Sequence, residues 1–145
     1  MQRLDRERIF TKLNEMIRYV QELQEMLPEE EEYLHDLIKR RACEKTVEVA
    51  IESLIDVSAM IISAQKLSLP SNEENIFDIL IENAILTQEL GEELKNLKGF
   101  RNVLIHRYGH VDDKMIYHNL SNYLDDFYKF ENAIRSNLEK KIWGF

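Results

Sequence analysis

Glycine and proline are scarce in this chain of 145 residues: there are four glycines and two prolines. An antiparallel β-sandwich or barrel, which needs a turn every few residues, is therefore a poor fit. Cysteine occurs once, at Cys43, so no internal disulfide can form and no cysteine cluster can hold a metal. No window approaches the ~18 uncharged apolar residues that a membrane span requires. Together these absences point to a soluble protein of a reducing compartment, expected to be cytoplasmic and without a membrane partner. Cationic charge is also in deficit: 19 Lys and Arg face 27 Asp and Glu, for a net charge of -8. Such a chain cannot coat nucleic acid through a broad basic surface, although a small local cationic site is compatible with it. Phosphate-cradling glycine loops, paired-histidine metal motifs and Gly-x-Ser-x-Gly elbows are missing as well, which removes the common nucleotide-hydrolysing, metalloprotease and serine-hydrolase chemistries.

What is present is helical periodicity. Ile9, Leu13, Met16, Ile17, Val20, Leu23 and Leu27 recur at three- and four-residue spacing and line one face of a first helix, which Pro28 ends. The acidic run Glu29 to Glu32 suits the first turn of a second helix, where carboxylates oppose the positive end of the dipole. With no Gly or Pro before Pro70, the pattern from Leu34 to Ile62 predicts one long helix of ~50 Å. A helix this long implies a partner beyond its own small domain, hence a dimer. Arg40, Glu44, Glu48, Glu52 and Asp56 form a stripe on it, either solvated or turned so that Asp56 or Glu52 orients an arginine elsewhere.

Residues 66–75 read as a loop in which Ser71 or Asn72 caps the next helix. A short apolar helix follows through Ile76, Phe77, Leu80 and Ile85, then a helix from Thr87 to Ile105, a short helix through Met115 and Leu120, and a final one from Tyr123 to Leu138. The aromatics of that final helix read as core, and Trp143-Gly144-Phe145 as an apolar tail docked on the bundle or across a dimer. The expected fold is all-α: residues 1–145 form a single domain, an up-and-down four-helix bundle with an additional short helix.

Chemistry concentrates in Gly99-Phe100-Arg101-Asn102-Val103-Leu104-Ile105-His106-Arg107-Tyr108-Gly109. Histidine titrates near neutrality and can move a proton during attack of a ribose 2′-hydroxyl on its phosphate. Arginine keeps its charge and offers a planar fork of donors for a phosphate whose charge builds in the transition state. Spacing adds a constraint, because residues five apart on a helix point about 140° away from each other. Arg101 and His106 converge only if the helix ends near His106, with Gly109 as terminator, or if a twofold dimer pools two copies of each in one cleft.

Phe100 to Gly109 resembles the Arg-x4-His-x-Tyr signature of HEPN domains, with the usual Asn after Arg. Arg41 to Asp56 is similar to that family's second helix, and the closest resemblance is to the stand-alone HepT-like toxins. The resemblance implies a homodimer whose paired motifs form a metal-independent ribonuclease site, with Arg101 and His106 as the catalytic pair and no cofactor. It implies RNA as substrate and a minimal nucleotidyltransferase (MNT-type) antitoxin as partner, one that can attach AMP to Tyr108. Asn102 would support the motif or the substrate, and Asp56 would be a further polar partner. The alternative is a non-catalytic helical subunit that binds nucleotide or substrate for such a nucleotidyltransferase.

Overall fold

A computed structural model describes residues 1–106 and 112–142, with side chains through Lys140. Its helices are α1 (Arg3–Met26), α2 (Glu30–His35), α3 (Leu37–Ala64), α4 (Glu73–Glu82), α5 (Gln88–Ile105) and α6 (Asp113–Ile142). Four longer helices close a ring: α1 packs on α3 and α6, and α5 packs on α3 and α6. The two shorter helices lie outside it, α2 against α3 and α6, α4 against α3 and α5. The all-α bundle expected from the periodicity is what forms.

The periodic residues are the core. Leu13, Met16, Val20 and Leu23 of α1 are fully buried, as are Ala50, Val57 and Ile61 of α3. Phe127 and Phe130 of α6 are buried too, as expected of core aromatics. Burial of each large apolar side chain contributes about 1.5–3 kcal/mol, which is why the pattern dictates the packing.

Two elements depart from expectation. The predicted second helix is broken at Asp36, whose backbone is extended and whose side chain accepts from Lys39 N at 3.0 Å, capping α3. Arg40 secures the break: its Nη1 donates to the carbonyls of Leu34 and Tyr33 at 2.8 and 3.3 Å. Conversely, 113–142 is one helix, because Ile116, Leu120, Phe127, Phe130, Ile134 and Leu138 hold a single buried stripe across the polar Asn119, Ser121 and Asn122. The short helix therefore precedes α3 rather than the last helix.

The length of α3 is covered inside the chain by α1, α2, α4 and α5, so that length alone no longer calls for a second copy. No helix among the described residues is long and apolar enough to cross a membrane. The 143–145 tail lies outside the described residues.

Candidate functional site

The last turn of α5 carries the arginine and the asparagine, and its C-cap is His106. The helix starts cleanly, with Thr87 Oγ1 accepting from Leu90 N at 3.1 Å. It ends where expected: His106 has left helical geometry at φ -98° and ψ 43°, while its N–H still donates to Asn102 O at 2.9 Å. Termination at that residue frees the imidazole from the 140° separation that a continuing helix would impose.

Arg101 is well buried for a cation, with 12% of its side chain exposed. Nη2 donates to Glu73 Oε1 at 2.6 Å, and Nε and Nη2 donate to Asn102 Oδ1 at 3.3 and 3.0 Å. A nearly buried guanidinium needs such partners, since removing it from water without them is costly. Asn102 thus touches Arg101 directly, and the bonds of Arg101 run to these two residues rather than to His106, which is exposed at the helix end.

Asp56 is not the carboxylate that meets the arginine. Its side chain is 57% exposed and lies 3.6 Å from Lys12 Nζ on α1. The stripe to which it belongs is mixed: Glu44 is buried and Arg40 nearly so, its Nε 3.6 Å from Asp113 Oδ2 at the start of α6. Tyr108 and Gly109 lie outside the described residues.

The sequence does not single out Glu73, which falls in the stretch 66–75 read as a loop, whereas α4 begins at Glu73 itself. The signal that could have found it is a cationic stripe on α5, with Lys95, Lys98 and Arg101 at three-residue spacing. Each has an acid on α4: Lys95 reaches Asp78 at 2.5 Å, Lys98 reaches Glu74 at 3.8 Å, and Arg101 reaches Glu73. The partners ascend one helix as they descend the other, so α4 and α5 run antiparallel. Around the motif, Val103 and Ile105 are 42% and 44% exposed, whereas Leu104 packs against the core. Among the described residues no three His, Cys, Asp or Glu side chains are grouped so as to hold a metal ion.

The chain is similar to known proteins over most of its length. A family model described as ribonuclease HepT-like matches residues 13–134, which span α1 to α6 and include the whole of α5. The mRNA nuclease HepT of Shewanella oneidensis is 24% identical over 128 residues, 88% of this chain and 96% of that protein. Among solved structures, a tri-AMPylated Shewanella oneidensis HEPN toxin in complex with its MNT antitoxin superposes with a TM-score of 0.83 at 24% identity, covering 94% of this chain and 99% of that one. The Bacillus subtilis protein YutE, described as a cytosolic protein of unknown function, superposes with a TM-score of 0.80 at 23% identity, covering 94% and 92%.

Proposed function

Because the chain belongs to the HepT-like ribonuclease family, we propose that it is an endoribonuclease toxin of a HEPN/MNT toxin–antitoxin pair, with Arg101 and His106 as its catalytic pair. The observation that carries the reading is the end of α5: inside the family match, a fixed guanidinium sits one turn before a histidine released by helix termination.

The chemistry needs no metal. The 2′-oxygen of a ribose forms a bond to the adjacent phosphorus while the bond to the 5′-oxygen breaks, leaving a 2′,3′-cyclic phosphate and a 5′-hydroxyl. One imidazole takes the 2′-hydroxyl proton, and a protonated imidazole gives a proton to the departing 5′-oxygen. Arg101 supplies charge and directed donors to the phosphate oxygens as negative charge accumulates there. Two proton roles call for two imidazoles, and a homodimer with paired motifs provides them. Val103 and Ile105, half exposed beside the motif, supply apolar area for that contact.

The MNT-type antitoxin is the natural partner, given the complex in which the Shewanella neighbour is found. Transfer of AMP from ATP to the Tyr108 hydroxyl, with pyrophosphate leaving, would add bulk and negative charge to a phosphate-binding cleft and so exclude RNA. The acidic surface, at a net charge of -8, suits a more basic protein partner.

Purified chain incubated with RNA in EDTA tests the reading. Cleavage leaving 2′,3′-cyclic phosphate ends is expected, with Arg101→Ala and His106→Ala each slowing it by about 100-fold or more. Undiminished cleavage by the double variant sinks the assignment. Absence of cleavage together with tight binding to the nucleotidyltransferase supports the non-catalytic subunit instead.

A further inference from the structure

The guanidinium of Arg101 is half used. Its Nε–Nη2 edge is spent on Asn102 Oδ1 and Glu73 Oε1, while no acceptor among the described residues meets Nη1. Glu73 itself is held in place. It is the first residue of α4, following Asn72, whose Oδ1 accepts from Asn75 N at 2.8 Å, and Asn75 Oδ1 in turn accepts from Ser71 N at 3.1 Å. The helix behind it is anchored by Phe77 and Leu80, both fully buried, and by two more ion pairs to the same face of α5. A carboxylate mounted this way cannot follow a loop, so the direction it imposes on the arginine is set by the packing of two helices.

We infer that Glu73 is a positioning residue for the ribonuclease site: with Asn102 it holds Arg101 by one edge and presents the Nη1 edge to the scissile phosphate. The inference rests on the ribonuclease reading above. Two physical alternatives make opposite predictions. A carboxylate that competes with phosphate for the same cation would slow binding, and its removal would strengthen RNA affinity. A carboxylate that serves only to join α4 to α5 would be equivalent to its neighbour Glu74. The geometry favours positioning, because the bond to Glu73 engages Nη2, the nitrogen that Asn102 also holds, and no acceptor among the described residues meets Nη1.

The test uses the full chain and four variants, Glu73→Ala, Glu73→Gln, Glu73→Asp and Glu74→Ala, with thermal melts confirming that each is folded. Glu73→Ala should lower kcat by about 10- to 100-fold, the cost of a misplaced catalytic group, while KM changes little. Glu73→Asp, which keeps the charge on a shorter arm, should recover part of the loss, and Glu73→Gln should fall between. Glu74→Ala removes a rung without touching Arg101 and should cleave as the unaltered chain does. Faster cleavage or a lower KM in Glu73→Ala overturns the inference in favour of competition, and equal losses in Glu73→Ala and Glu74→Ala overturn it in favour of a general joint. A second readout is independent of cleavage: the Arg101 Nε–H resonance in a 15N-labelled chain should shift and exchange faster with solvent in Glu73→Ala. If the unaltered chain cuts no RNA, the ribonuclease reading fails by itself. An Nε–H resonance unchanged in Glu73→Ala then overturns the hold of Glu73 on the guanidinium, and a shifted one upholds it.

Discussion

On the packed helices α1 and α3, Leu13, Met16, Val20, Ala50, Leu54 and Val57 have almost nothing exposed, and the ion pair Lys12–Asp56 that joins the two helices is partly exposed. Around α5 the neighbours are met through charge as well. Toward α4 run the three ion pairs that end on Arg101, and toward α6 the buried Asp126 carboxyl feels the charge of Glu93, whose carboxylate lies 3.6 Å from Lys129. Apolar contact has no preferred direction, so it holds helices together without fixing where a single atom points. A guanidinium bound by two acceptors is fixed in orientation as well as in place. The molecule thus separates a half built for cohesion from a half built for aim, and the candidate catalytic residues sit in the second.

The comparison predicts different responses to damage. Leu13→Ala should cost the most, about 3 kcal/mol of unfolding free energy in urea titration, because a fully buried leucine leaves a cavity. Its cleavage rate per folded molecule should be unchanged, and a fall in that rate would break the division between the two halves.

Gly91 comes next, since α5 lies close against Ile81 of α4 there. A Cβ built there would lie 2.6 Å from Ile81 Cγ1 and closer still to Cδ1. Gly91→Ala should therefore destabilise by about 1–2 kcal/mol, overpacking outweighing the gain in helix propensity. In an Ile81→Ala background the same change should stabilise, by up to about 1 kcal/mol. Chemical denaturation of the four chains gives the cycle, and an effect of the same sign in both backgrounds would show that Ile81 is not the obstacle.

The smallest effect concerns the carboxyl pair. Burial, then the hydrogen bond and the charge of Glu93, push the Asp126 carboxyl up to about 6, against the opposing pull of Lys129. An acid whose pKa is raised by folding binds its proton more tightly in the native state. Its contribution is therefore most favourable at low pH, is lost as pH rises between about 4 and 6, and stays lost above. Asp126→Asn keeps a donor toward Glu93 without the charge, so it should raise stability at pH 7 by about 1 kcal/mol. Near pH 4 the gain should vanish. Melting curves at the two pH values check this, and a gain of equal size at both would mean that the charge is not the cause.

Much of this was legible in the chain. The α1 stripe appears as read, the helix read from Thr87 begins there with Thr87 as its cap, and of the two caps offered for α4 it is Asn72 that accepts from the helix. The end of α5 at His106 was one of the two arrangements that helix spacing left open for the motif, the other being the pairing of two copies across a dimer. Other boundaries were invisible because their chemistry used uncommon residues. Asp36 breaks the helix as a cap with neither Gly nor Pro beside it. The end of α4 turns through left-handed Ala84, at φ 58°, where glycine is the usual occupant, whereas α3 stops just before the loop read from residue 66, through left-handed Lys66 at φ 54°. The partner of Arg101 was legible only through the cationic stripe of α5: Glu73 lies 28 residues away in sequence, and the antiparallel register of α4 and α5 brings it into range. Asp56 or Glu52 was the acid suggested by sequence, yet the helix turns Asp56 toward Lys12.

The bonds that join α1 to α6 have a consequence for the order of events during synthesis. Arg135 Nη2 reaches Asn14 and the Tyr128 hydroxyl reaches Gln24, across separations of 121 and 104 residues. The α1–α3 and α4–α5 pairs need only short loops to meet, so they can form while the chain is still being made. On the ribosome α1 keeps one apolar flank open to solvent until the stretch from Phe127 to Leu138 emerges. A trigger-type holdase that covers exposed hydrocarbon would find its binding surface there, for only as long as that stretch remains in the exit tunnel.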